Sequence, residues 1–219
     1  MSVIAIDGPA GAGKSTIARA VADRLGFEYL DTGAMYRALA LTAIENGIDL
    51  EDADALTALA DSVDIELRGD LVKLNGRDVS KVIRGPDVTA AVSKVAAVDG
   101  VRRAMAAMQR SRAEAGNLVM EGRDIGSAVV PTAAVKIFLT ATKEERALRR
   151  ARQLGLATDE ESLRELSRTI EDRDRADAER KASPFVKAND AVVVDSTGKD
   201  VDTVVDEIAS AARRAIDEC

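Results

Sequence analysis

The sequence predicts an α/β fold, a parallel sheet wrapped by helices. Three observations point to it. A glycine-rich turn, Gly8-Pro9-Ala10-Gly11-Ala12-Gly13-Lys14-Ser15-Thr16, follows the apolar run Val3-Ile4-Ala5-Ile6 and precedes a helical pattern. Short apolar strands then alternate with helical stretches, as parallel strands joined by helical crossovers do. Hydrophobic content is 46% with only 2% aromatic residues, which suits a core of Ala, Val, Leu and Ile.

Composition narrows the functional classes. A length of 219 residues allows one large domain, or one core with small inserts. The net charge of −7 argues against non-specific binding to nucleic acid. Cys219 is the single cysteine, so no internal disulfide or cysteine metal site is available. Histidine is absent, which removes zinc–histidine chemistry and Ser-His or Cys-His nucleophilic catalysis. No apolar run approaches the length of a membrane span, and the chain opens on a strand without a charged leader. The expectation is a cytoplasmic protein with neither nucleic acid nor membrane as partner.

Each element has its signal. Ile17, Ala18, Val21, Ala22 and Leu25 recur at helical spacing, and Gly26 is a C-terminal stop. Phe27 to Leu30 reads as a short strand ending in Asp31-Thr32-Gly33, which turns into a helix carrying Met35, Leu39 and Ile44 and ending near Gly47. Asp52 can cap a third helix. Val63, Ile65 and Leu67 then alternate with polar residues, Leu71 to Leu74 does the same, and Asn75-Gly76 signals a tight hairpin. Residues 62–83 are therefore read as a small antiparallel sheet. Pro86 opens a helix to about Val98, and another runs from Val101 to Ala115. Leu118 to Met120 is a buried strand ending in Glu121-Gly122-Arg123-Asp124, and Val135 to Leu139 is the next. Thr142-Lys143-Glu144-Glu145 is a capping box for an Arg-rich helix, Arg146 to Gln153. Residues 154–160 read as a mobile tip, followed by a charged helix from Glu161 to about Glu179. Ala191 to Asp195 is the last strand, and Val201, Val204, Val205, Ile208 and Ile216 mark the final helix.

The glycine-rich turn fits G-x-x-x-x-G-K-[ST] at Gly8, Gly13, Lys14 and Ser15, in the strand–turn–helix context the motif needs. Its amides would cradle a polyphosphate, aided by the helix dipole. Lys14 would reach the β- and γ-phosphates of ATP, and the Ser15 hydroxyl would ligate Mg²⁺. Parallel sheets bind ligands beyond the carboxyl ends of their strands. Asp7, Asp31, Glu121 and Asp195 stand at such ends, so at least some should face one crevice. Asn-Lys-x-Asp, which would read guanine, is missing. Arginine is plentiful instead. Arg37, Arg123, Arg146, Arg149, Arg150, Arg173, Arg175 and Arg180 fall in or beside the segments expected to line the crevice. A guanidinium binds phosphate oxygens in a bidentate fork, and phosphoryl transfer needs mainly positioning and charge neutralisation. An acceptor that is already a phosphate oxygen needs no general base, which agrees with the lack of histidine. Arg146, Arg149 and Arg150 share one helical face, as a lid closing over ATP requires; the plain alternative is a solvated face with Glu145 paired to Arg149.

Four stretches together resemble bacterial cytidylate kinases of the P-loop nucleoside monophosphate kinase family. They are the 8–16 loop, Leu30-Asp31-Thr32-Gly33-Ala34-Met35-Tyr36-Arg37, Glu121-Gly122-Arg123-Asp124-Ile125-Gly126 and Arg173-Asp174-Arg175-Ala176-Asp177-Ala178-Glu179-Arg180. Val135 to Leu139 and Asp195-Ser196-Thr197 extend the likeness to the whole chain. The resemblance implies transfer of the γ-phosphoryl of ATP to CMP or dCMP with Mg²⁺, by a monomer. It implies one kinase domain: a core of about 1–31, 117–145 and 181–219, a monophosphate-binding region at about 32–116 containing the small sheet, and a lid at about 146–180. Gly8 to Thr16 would hold ATP with Arg146 and Arg150, and Lys14, Arg37, Arg123 and Arg173 would form the catalytic set. Arg37 and Arg123 would grip the acceptor phosphate beside Thr32 and Tyr36, while Ser93, Arg102 and Asp124 would read the base. Arg173, Asp177 and Arg180 match positions at the sugar and phosphates, with their roles undivided. Asp31 and Glu121 either act on Mg²⁺ through water or cap a turn. The alternatives are a phosphate-loop kinase for a hydroxyl acceptor, which would want a general base, and a nucleotide-binding regulator without turnover.

Overall fold

Two sheets organise the computed structural model, which describes residues 2–217 and so leaves Cys219 outside. In chain order the elements are β1 (Val3–Asp7), α1 (Lys14–Leu25), β2 (Glu28–Asp31), α2 (Thr32–Glu45), α3 (Ala53–Ser62), β3 (Ile65–Arg68), β4 (Leu71–Leu74), β5 (Arg77–Asp78), α4 (Pro86–Ala97), α5 (Asp99–Glu114), β6 (Leu118–Gly122), β7 (Val135–Thr140), α6 (Lys143–Leu154), α7 (Glu160–Ala178), β8 (Val192–Asp195) and α8 (Val201–Asp217). The larger sheet is parallel, in the order β2-β6-β1-β7-β8. The α/β expectation therefore holds.

Period-two alternation assigns the faces of the sheet. Ile4 and Ile6 of β1 pack with Ile17 and Val21 of α1 and Val204 and Ile208 of α8. Val3 and Ala5 point the other way, toward Met35 and Leu39 of α2 and Val101 and Met105 of α5. All five β1 residues are buried, as a central parallel strand covered on both faces requires. The register aligns Asp7 with Gly122 and Asp31 with Glu121, so the strands end level and their carboxyl ends open on one crevice.

The small sheet is antiparallel, in the order β3-β4-β5. Asn75 and Gly76 both have positive φ, 49° and 79°, the two-residue turn that matches strand twist. The sheet is narrower than the 62–83 expected, because a 3₁₀ turn at Val82–Arg84 already leads into α4. Two further boundaries move for local reasons. Phe27 donates its N–H to Ala22 O as part of the α1 cap, so β2 begins at Glu28. Thr142 accepts from the Glu145 N–H, so α6 begins at Lys143 rather than Arg146. At the 154–160 tip, Leu156 N–H returns to Ala151 O and Asp159 caps α7.

One element was not anticipated from the sequence, a π-helical turn at Ile125–Val129. The Asp7 carboxylate holds it, accepting the N–H groups of Ile125 (2.9 Å) and Gly126 (2.8 Å). Asp7 is thus a bracket for the chain after β6, not a crevice acid. Burial pushes its carboxyl up to about 6, against the two amide bonds, which favour the anion. The ordinary value is 3.8, so the folded chain holds this proton more tightly than the unfolded chain. The stability Asp7 contributes is greatest below about pH 4 and falls as pH rises to about 6. Relative to Asp7→Asn, which does not titrate, the parent should lose about 2–3 kcal/mol across that window. Urea unfolding of both proteins over the same pH range measures the gap, and a constant gap contradicts the assignment.

Candidate active site

The phosphate loop lies between β1 and α1. Its shape depends on two close approaches that exclude a side chain. A Cβ at Gly8 would sit 2.0 Å from Leu139 O, and one at Gly11, where φ is 79°, would sit 2.8 Å from Arg146 O. Gly13 caps α1 without a side-chain bond, leaving the first-turn amides free for a ligand. Lys14 Nζ donates to Pro9 O at 2.9 Å. Burial and then the nearby Arg123 guanidinium push the Lys14 ammonium down, opposed by Glu121.

Ala10, Gly11, Lys14 and Ser15 form one wall of a cavity of about 560 Å³ at the carboxyl ends of the strands. The start of α2 supplies the next wall. Asp31 caps the helix by accepting from the Ala34 N–H, and Thr32 and Tyr36, four residues apart, face the cavity together with Arg37. Thr32 donates to Glu121 O at 2.6 Å. Arg37 donates to Thr89 Oγ1 (2.8 Å) and Ile83 O (3.4 Å). It has no ion-pair partner among the described residues, and burial followed by Arg173 and Arg150 pushes it down to about 10.

The end of β6 brings three charged side chains to the cavity. Glu121, 4% exposed, lies beside Asp31 and accepts from the Tyr29 hydroxyl. Burial first, then Asp31, push its carboxyl up. Arg123 donates to Gly8 O (2.6 Å) and Asp177 (2.9 Å) and lies 5.3 Å from the ring of Phe185, which stacks on Phe138. Asp124 pairs with Arg102 of α5; the two are 5% and 4% exposed. Burial opposes the Arg102 charge, but Tyr36 and Asp124 outweigh it, and the guanidinium lies 5.5 Å from the Tyr36 ring. Ser93 of α4 lines the same cavity.

A further wall comes from α6, α7 and the residues just beyond α7. Arg150, Arg173, Asp177 and Arg180 reach the cavity. Arg180 pairs with Asp177 at 3.2 Å. Arg173 makes no ion pair among the described residues, its buried Nε lacks a partner, and burial pushes its charge down, with Arg123 adding to the effect. Uncompensated guanidinium groups in a concave, half-buried site are receptors for an anion.

The model of the family described as cytidylate kinase matches residues 4–214. The chain belongs to the cytidylate kinase family. It is 50% identical to a cytidylate kinase of Symbiobacterium thermophilum over 97% of this chain and 96% of that protein. It is also 50% identical to one from Geobacillus kaustophilus, over 94% and 93%. A solved structure of an uncharacterized protein from Eubacterium ventriosum aligns with a TM-score of 0.53 at 13% identity, covering 97% of this chain and 99% of that one, a likeness of fold alone.

In this member of the cytidylate kinase family, several arginines and acids named from the sequence are spent outside the cavity. Arg146 donates to Ala10 O (3.0 Å) and pairs with Asp174. Arg149 donates to Ala12 O (3.1 Å) and Ser196 O (2.8 Å) and pairs with Glu145, the alternative the sequence raised. Of Arg146, Arg149 and Arg150, Arg150 alone lines the cavity. Arg175 is exposed beside Asp172, and Asp195 is exposed and tied to Thr197, so both drop out of the crevice set. Gly8, Pro9, Ala12, Gly13 and Thr16 do not line the cavity; Gly8 and Pro9 present carbonyls to Arg123 and Lys14. Sequence reasoning missed Arg84, which lines the cavity 3.4 Å from Asp31 and sits in no motif.

Proposed function

We infer that the protein transfers the γ-phosphoryl group of ATP to CMP or dCMP, giving ADP and CDP or dCDP. The observation that supports this most is one cavity shared by the Lys14 loop, the guanidinium groups of Arg37 and Arg173, which make no ion pair among the described residues, and the buried Arg102–Asp124 pair. Cytosine carries an amino donor at its 4-position and acceptors at N3 and O2. Asp124 accepts from the amine, while Arg102 and Ser93 address the acceptors. Arg37 and Arg123 hold the acceptor phosphate beside Tyr36 and Thr32. Lys14 and Arg173 neutralise charge on the migrating phosphoryl group, and Arg150 approaches from the lid side. Asp177 and Arg180 serve the sugar and phosphates. The nucleophile is an anionic phosphate oxygen, so the chain need only position, neutralise and exclude water.

The donor set fits Mg²⁺. The Ser15 hydroxyl and the carboxylates of Asp31 and Glu121 present hard oxygens to the cavity. Mg²⁺ uses one or two carboxylates plus phosphates rather than an all-protein cage. That agrees with the absence, among the described residues, of any cluster of three or more metal-ligating side chains. When bound, the ion neutralises phosphate charge. The same reading divides the chain into a core at about 1–31, 117–145 and 181–219, a monophosphate-binding region at about 32–116 and a lid at about 146–180. It also implies a monomer working in the cytoplasm.

An ADP-release assay across CMP, dCMP, UMP, AMP and GMP tests the inference. CMP and dCMP should exceed UMP by about 1–3 kcal/mol in kcat/KM, because uracil sets a carbonyl against the Asp124 carboxylate. Asp124→Asn should narrow that preference, since its amide can turn a donor toward uracil. Preference for UMP or AMP overturns the base assignment, and equal loss on CMP and UMP removes Asp124 as the reader.

A further inference from the structure

Asp174 lies one residue beyond Arg173 on α7, and the proposed transfer gives it no role. Its side chain is only 14% exposed. One carboxylate oxygen accepts the Ala10 N–H of the phosphate loop at 2.9 Å. The other accepts from Arg146, whose same nitrogen donates to Ala10 O at 3.0 Å. Arg123 approaches Asp174 to 3.5 Å. Asp174 and Arg146 therefore hold both polar groups of residue Ala10 from outside the loop. The α6 backbone closes over the neighbouring Gly11, where even a methyl group would meet Arg146 O. No other side chain from α7 bonds to a backbone group of the phosphate loop among the described residues.

We propose that Asp174 is a positioning residue for phosphoryl transfer, locking the Ala10 peptide and the Arg146 guanidinium into one arrangement across the base of the lid. The inference rests on the kinase reading above and adds a residue to it. Ala10 and Gly11 form the lip of the loop that lines the cavity, so their orientation sets the path of the migrating group. Alignment of reacting groups acts on the transition state and can be lost without loss of ground-state binding. Asp174 is itself an anion beside a site for polyanions. Its removal relaxes the alignment while lowering electrostatic repulsion of the donor. The signature is a fall in turnover without a fall in donor affinity.

Asp174→Asn keeps an acceptor for the Ala10 N–H but gives up the ionic hold on Arg146. At saturating CMP, kcat should fall about 10- to 100-fold. The Kd of a non-hydrolysable ATP analogue, measured by calorimetry, should stay within about threefold or tighten, and the KM for CMP should stay within about threefold. Arg146→Met keeps the buried side-chain stem but removes the one nitrogen that serves both Ala10 O and Asp174. It should show the same split, and it carries the test if Asp174→Asn fails to fold. The double variant should be little worse than either single one. Turnover within about twofold of the parent overturns the proposal. So does a Kd that weakens in step with kcat, as a simple fold brace would give, or strict additivity in the double variant. A parent protein that does not turn over CMP overturns the kinase reading instead. A parent that does, with Asp174→Asn indifferent, overturns only this one.

Discussion

Lys14→Ala is expected to lower kcat by about 10³-fold while leaving the fold intact. Lys14 is the ammonium group at the first turn of α1, and its Nζ donates to Pro9 O at 2.9 Å. Its surroundings disfavour the charge, because burial and Arg123 both push the ammonium down. Little stability therefore depends on it, and a loss of stability comparable to a core truncation is not expected. A triphosphate reverses the balance, since its oxygens add to the countercharge of Glu121 and Asp174. The loss should fall on the migrating phosphoryl group, where charge redistributes in the transition state, and so on kcat more than on CMP binding. Steady-state kinetics with thermal melts measures both. Activity near that of the parent would remove the phosphate-loop mechanism.

Arg102→Ala should cost about 3–5 kcal/mol of stability, because it strands the Asp124 carboxylate in a buried site. Arg102 is 4% exposed, and besides Asp124 it reaches Ala96 O at 3.3 Å and the Tyr36 ring. On the proposed assignment of Arg102 to the cytosine acceptors, its loss should also raise the KM for CMP. Folding and recognition can be separated. Replacing both partners with apolar residues, Arg102→Met with Asp124→Leu, removes the stranded charge and should recover much of the stability. It should not recover selection of CMP over UMP. Urea unfolding and the acceptor panel on the same two proteins make the comparison. A double variant that still selects CMP would place base reading elsewhere.

Local signals were legible wherever chemistry and backbone demand coincide in a few consecutive residues. Gly8, Gly13 and Lys14 announce a loop that must approach β7 and a ligand closely. Asn75-Gly76 announces a turn with two positive φ angles, and the structure has it. Asp31, Asp52 and Thr142 announce helix starts, and each accepts the expected backbone N–H. Arg102 was less legible, because an arginine on a helix reads as surface until its partner 22 residues away is in place. Arg84 carries no motif and gains its position only from the turn before α4.

Taken alone, the amino-acid order determined the alternation of strands and helices, the phosphate loop, the small antiparallel insert and the family to which the chain belongs. The first three follow from periodicity, caps and glycine positions, all interactions between residues near in sequence; the family follows from the likeness of the 8–16, 30–37, 121–126 and 173–180 stretches to its members. Only the tertiary structure decided which charges meet. It turned Asp7 inward to the π-helical turn 118 positions away and took Arg146 out of the crevice to pair with Asp174. It left Arg37 and Arg173 outside every ion pair among the described residues, with Asp31 near the first and Asp177 and Asp174 near the second only at longer range. The reason is physical: a charged side chain pairs with whatever the packed core brings within a few ångströms, and separation along the chain does not encode that distance.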